Sequence, residues 1–145
     1  MYLDTGNRAT PNPVPSERTR ILFVAARPAL IAPVRRAVKA DGTASFRLCA
    51  EAGDAAAAAV RCGADAILLD PALSGRATRQ LVETLRADPA TRGIAVVVLG
   101  DRSGQRTQGV VQRAGADGAT ASPGRPGLLD AIRDFVRTRR SACAA

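Results

Sequence analysis

Chemistry can begin at few places in this chain, because it contains no histidine. Without an imidazole the Ser-His and Cys-His nucleophile schemes are closed, and the chain cannot itself carry a phosphohistidine. Cys49, Cys62 and Cys143 are odd in number and lack CxxC spacing, so they indicate neither a disulfide framework nor a zinc site. What remains is carboxylate chemistry. In Asp65-Ala66-Ile67-Leu68-Leu69-Asp70-Pro71-Ala72-Leu73-Ser74-Gly75 an apolar run stops at an acid and a Pro/Ser/Gly turn. This is the pattern of a buried parallel strand that carries Asp70 to the sheet edge where open α/β folds keep their ligand sites. A carboxylate placed there can be a nucleophile, or it can simply accept hydrogen bonds from the turn that follows it.

The other elements must bring partners to that edge. Arg20 to Ala26 is a β-branched and aromatic run and is expected to be the central strand. Leu30, Ile31, Val34 and Val38 then fall on one helical face, with Pro33 forcing the helix to start late or kink. Ser45 to Glu51 alternates, which predicts an edge strand with Phe46, Leu48 and Ala50 on its buried face. An Ala-rich helix follows, with Asp54 as its expected cap and Gly63 as its stop. After Ser74-Gly75 comes a helix with Ala77, Leu81, Val82 and Leu85 facing inward. Ile94 to Leu99 is the clearest strand, Gln105 to Ala114 a weaker helix, and Ala116 to Ser122 a strand required by position more than by propensity. Pro126 opens a last helix with Leu128, Leu129, Ile132 and Val136 toward the core and Arg133, Arg137, Arg139 and Arg140 away from it. Five strands alternating with five helices on short connections predict a doubly wound parallel sheet, class α/β. Gly63-Ala64-Asp65 and Gly115-Ala116-Asp117 are two similar helix-to-strand turns.

The 145 residues suffice for one domain with a real core, expected over 20–140 between a leader at 1–19 and a small-residue tail at 141–145. Aromatics are only 3%, so Ala, Val, Leu and Ile must build that core. A net charge of +8 admits nucleic acid, yet the arginines form no dense block, and such a partner is disfavoured. No apolar window approaches a membrane span, and the first residues hold no signal-peptide core, so the expected location is cytoplasmic.

Taken together, and in order, these stretches resemble a bacterial response-regulator receiver domain with the flavodoxin-like fold. The motifs that carry the likeness are Asp65 to Asp70 with Gly75 beyond it, Leu85 to Val96, and Gly115-Ala116-Asp117 leading to Pro123. The resemblance implies phosphoryl transfer from a partner's phosphohistidine to Asp70. It places an Mg²⁺-holding acidic pair at Ala25 and Ala26, a phosphoryl-following hydroxyl at Gly100, a phosphate-binding lysine at Ser122, a swinging aromatic at Ala119 and a loop proline at Ser74. Only the aspartate is present. Mg²⁺ usually needs one or two carboxylates besides the phosphoryl oxygens, so its binding is not expected. Asp101 is the one acid that could approach from the fourth strand's loop.

The expected function is therefore that of a stand-alone pseudo-receiver, a non-enzymatic signalling module with no cofactor. It would act by contact with a histidine kinase, phosphotransfer protein or effector, and could form a homodimer. The surface that receivers tend to use would carry Arg106, Arg113, Arg125, Arg133 and Arg137. Two alternatives stand: a phosphoacceptor working through Asp70, and a flavodoxin-like module that binds a nucleotide or other small ligand. The second finds no GxGxxG or GxxxxGK[ST] pattern in its support.

Overall fold

The computed structural model of the chain describes residues 19–100, 111, 114–120, 122, 123 and 127–144. Its strands are β1 (Thr19–Val24), β2 (Ala44–Cys49), β3 (Ala66–Leu69), β4 (Ala95–Val98) and β5 (Gly118–Ala119). All pair in parallel, in the order β2-β1-β3-β4-β5. The described α-helices are α1 (Ile31–Lys39), α2 (Ala52–Cys62), α3 (Gly75–Ala87) and α4 (Leu128–Ala144). The count is four against the expected five, and the helix expected over 105–114 falls almost wholly outside the described residues.

Alternation along the central strands divides the core in two. Ile21, Phe23, Leu68 and Val97 face α1 and α4, while Leu22, Val24, Ile67, Leu69 and Val96 face α2 and α3. Every residue of β3 and β4 is buried, as a sheet covered on both faces requires. Each fully buried Leu, Ile or Phe contributes roughly 1.5–3 kcal/mol. In α2, Ala55 and Ala59 face that core with almost no exposure, so small side chains let the helix lie close to the sheet.

Several local expectations are corrected. The first strand ends at Val24, which leaves Ala25 and Ala26 in the turn beyond the sheet. A 3₁₀ turn at Pro28–Leu30 precedes α1, so Pro33 sits in the helix's first turn, where its missing donor is no loss. In β2 only Phe46 of the expected face packs on the core; Leu48 is 43% exposed, Ala50 is exposed, and Cys49 on the other face is buried. Asp54 is not the cap of α2: Glu51 holds that position, and Asp54 lies in the first turn, where its charge favours the helix dipole. Ser74 does cap α3, its hydroxyl accepting from the Ala77 N–H at 3.0 Å. Thr78 joins Leu81, Val82 and Leu85 on the buried face of α3, and Ala77 is only half-buried. The tail expected from 141 onward continues α4 to Ala144.

β5 is short because its chemistry is poor and its neighbour is close. A Cβ built on Gly118 would stand 2.2 Å from the Phe135 ring, so the α4 aromatic lies directly on the strand's backbone. Among the described residues no helix is long and apolar enough to cross a membrane.

Candidate functional site at the carboxyl edge of the sheet

β1, β3 and β4 end side by side. The Asp70 N–H donates to the Val24 carbonyl at 3.0 Å and the Leu99 N–H to the Leu69 carbonyl at 2.8 Å, which sets Ala25, Asp70 and Gly100 along one edge. Asp70 is 1% exposed. A buried carboxylate must find donors or lose its charge, and this one finds them on every side.

Its Oδ2 accepts from the backbone N–H groups of Ala26 at 3.0 Å and Arg27 at 2.9 Å. Its Oδ1 accepts from the Ala72 N–H at 2.9 Å, from Arg27 Nε at 3.2 Å and from Arg27 Nη2 at 2.9 Å. Both oxygens are thus saturated, since a carboxylate offers about four lone-pair sites. Burial alone would raise the Asp70 pKa, but the guanidinium of Arg27 and the Ala72 and Arg27 N–H groups outweigh it and hold the carboxyl below its ordinary value. Arg27 itself is half exposed, its side chain at 51% against 0% for that of Asp70.

Arg27 is the functional residue that sequence reasoning missed. Its signal was available: a lone cation directly after Ala25-Ala26, at the end of the strand next to the one that carries Asp70. With no acid at 25 or 26 to hold a metal, a buried Asp70 needs another counter-charge, and Arg27 supplies it. Of the other expected positions, Gly100 is buried and donates its N–H to Thr120 Oγ1 at 3.4 Å, while Ala119 in β5 and Ser122 beyond it are half-buried. Asp101 and the arginines at 106, 113 and 125 lie outside the described residues.

The arginines expected to project from the last helix are mostly tied to the fold. Arg133 donates to Thr19 Oγ1 at 3.1 Å, Asp41 Oδ2 at 2.8 Å and Thr43 Oγ1 at 2.6 Å, joining α4 to the start of β1 and β2. It is therefore engaged within the chain, with its side chain 27% exposed. Arg139 bonds Asp117 and Arg140 bonds Asp65. Arg137 pairs with Asp134 one turn back, both highly exposed, so that pair is weak.

The two Gly-Ala-Asp turns lie at the opposite, amino edge of the sheet. Gly63 (φ 65°) and Gly115 (φ 78°) take the left-handed conformation that releases a helix into a strand. Each aspartate then pairs with the neighbouring strand: Asp65 Oδ2 accepts from the Arg20 N–H at 2.8 Å, and Asp117 Oδ2 from the Val96 N–H at 2.7 Å.

The carboxylates give the fold an acid-sensitive limb. Arg133 first, then the Thr43 hydroxyl and N–H, hold the Asp41 carboxyl far below the usual carboxylate range, and Asp70 is also lowered. Depressed folded-state values mean stability that is complete above the unfolded value of about 4 and is lost as pH falls through the folded values. Urea unfolding followed between about pH 5 and pH 2 is expected to show a falling midpoint. Arg133→Gln should flatten that fall by reducing the share of Asp41, which keeps its Thr43 bonds.

Known structures decide the fold. A response regulator from Desulfuromonas acetoxidans superposes with a TM-score of 0.64 at 22% identity, over 83% of this chain and 97% of that one. The fold is that of a response-regulator receiver domain. A receiver domain protein (CheY-like) from Methanospirillum hungatei matches this receiver fold with a TM-score of 0.64 at 19% identity, covering 86% and 98% of the two chains. The receiver domain of a sensor histidine kinase from Pseudomonas aeruginosa, solved with a magnesium ion coordinated in its active-site cleft, matches with a TM-score of 0.64 at 25% identity, covering 83% and 98%. No sequence-family model and no curated protein matches the chain.

The described residues of this receiver fold's carboxyl edge do not fit a magnesium ion. Ala25 and Ala26 offer no side-chain oxygen, both oxygens of Asp70 are engaged, and the nearest formal charge to them is the guanidinium of Arg27. Mg²⁺ demands a near-octahedral oxygen shell, and a guanidinium in contact with its carboxylate repels it.

Proposed function

We propose that this chain is a pseudo-receiver: a protein-binding module of a two-component pathway that takes up no Mg²⁺ and is not efficiently phosphorylated on Asp70. The observation that carries this reading is the Arg27–Asp70 pair. A phosphoryl acceptor needs a carboxylate oxygen free to attack and a preorganised set of charges around the transferred group. Here Arg27 and three backbone N–H groups consume the carboxylate. Losing one preorganised electrostatic stabiliser commonly costs about 10²–10³ in rate, and here the acidic pair, the hydroxyl and the lysine are replaced by Ala25, Ala26, Gly100 and Ser122.

With transfer disfavoured, signalling would rest on contact with a histidine kinase, phosphotransfer protein or effector, and the module would not be an enzyme. The similarity to receiver domains of sensor histidine kinases supports partners of that class. Incubation of the wild type and Asp70→Asn with a small-molecule phosphodonor and Mg²⁺, read by intact mass, tests the reading. No Asp70-dependent phosphoryl adduct is expected; a stoichiometric one makes the chain a phosphoacceptor instead.

A further inference from the structure

Some of the described cations are held by ion pairs and others are not. Arg27, Arg86, Arg133, Arg139 and Arg140 are paired with carboxylates of the fold. Arg35, Lys39 and Arg47, like other exposed cations such as Arg36 and Arg61, make no ion pair with a carboxylate among the described residues. The first three flank β2, at the end of the sheet away from β5, where no further strand pairs with it among the described residues.

The geometry of that edge is specific. Thr19 N–H donates to the Thr43 carbonyl and Ala25 N–H to the Cys49 carbonyl, so the odd-numbered residues of β2 turn their peptide groups toward β1. By strand alternation Phe46 and Leu48 turn theirs to the open side. On the α1 face, the Arg35 guanidinium lies over the Phe46 ring, 5.6 Å from its centroid, and Lys39 is on the same helix face one turn along. Leu48, 43% exposed, continues that apolar row. On the opposite face Arg47 is exposed beside buried Cys49.

We propose that the open edge of β2 docks an extended acidic segment of a partner protein, which adds to the sheet as a further strand. Its alternate side chains would be apolar where they meet Phe46 and Leu48 and acidic where they meet Arg47, while Arg35 and Lys39, on the apolar face, would add only longer-range attraction. Strand addition draws affinity from main-chain hydrogen bonds and specificity from alternate side chains, and cross-strand charge pairs fix the register. A second copy fits poorly, because it would set a cationic edge against its own kind. This deepens the interaction-module reading by naming a surface and a partner chemistry. The two fail separately, since a phosphoryl adduct on Asp70 would defeat that reading and leave the β2 edge untouched.

The test titrates the isotopically labelled full chain with a synthetic peptide of roughly six residues, a usual strand length, alternating Val and Glu. The expected result is saturable NMR shifts centred on β2, with slowed amide exchange at Phe46 and Leu48. Arg47→Glu should weaken binding by about tenfold or more. Leu48→Pro removes an outward N–H at a position where an edge strand tolerates proline, and should abolish binding while the circular dichroism is kept. Should that variant fail to fold, Arg47→Glu decides alone. Equal affinity for a peptide with its Val and Glu in separate blocks would overturn the proposal. So would absence of shifts in β2, duplex DNA competing at the same residues, or a concentration-dependent dimer that Leu48→Pro dissolves.

Discussion

Arg27→Met is expected to destabilise the chain by about 2 kcal/mol at neutral pH, seen as a lower urea midpoint and a melting temperature roughly 6 °C down. Removing one partner of a buried ion pair costs about 3–5 kcal/mol because the other charge is left buried. The lower figure follows because Arg27 is half exposed, so solvent already screens part of the attraction, and because Asp70 keeps its bonds from Ala26, Arg27 and Ala72. Asp70→Asn should also destabilise, since its amide nitrogen would face backbone donors. In the double variant the losses should fall short of their sum by about 1 kcal/mol or more, the mark of residues in direct contact. Additive losses would mean that the guanidinium does not stabilise the carboxylate.

The second large effect lies at the opposite edge. Asp117→Ala is expected to cost about 3 kcal/mol, more than the loss of any exposed pair in the chain. Asp117 accepts from the Val96 N–H and from Arg86 Nη2 at 2.8 Å, and Arg139 Nε reaches its other oxygen at 3.0 Å. Its side chain is 11% exposed, and those of Arg86 and Arg139 are 22% and 25% exposed. Burial lowers the Arg86 pKa and Asp117 opposes that, so without Asp117 two guanidinium groups crowd together uncompensated. The loss should appear in chemical unfolding at neutral pH, and Asp117→Asn, which keeps an acceptor for Val96, should recover only part of it. A change within about 0.5 kcal/mol, as for an ordinary surface substitution, would show the cluster to be inert.

These two clusters also show what the sequence can reveal. The order of elements, the parallel sheet and the delivery of Asp70 to its carboxyl edge are all legible, because apolar runs such as Ile67-Leu68-Leu69 and Ala95-Val96-Val97-Val98 have strand length and sharp ends. So is the emptiness of Ala25, Ala26 and Gly100, which is a matter of residue type alone. The use of cations is not legible. Arg27, Arg133, Arg139 and Arg140 read as solvated charges, and only the tertiary fold brings them to carboxylates 43, 92, 22 and 75 residues away in the chain. Leu48 departs from its expected burial for a related reason. Alternation fixes which face it takes, but β2 ends the sheet of described strands, and Leu48 is left 43% exposed there.

On the proposed reading Arg27 stands where a receiver would hold its metal and phosphoryl group. Crystals of the wild type soaked in Mg²⁺ and a beryllofluoride phosphoryl mimic test it most directly. The expected result is Asp70 still bonded to Arg27 and to the N–H groups of Ala26, Arg27 and Ala72, with neither ion beside it. A beryllofluoride adduct on Asp70 with Mg²⁺ alongside and Arg27 displaced would contradict it.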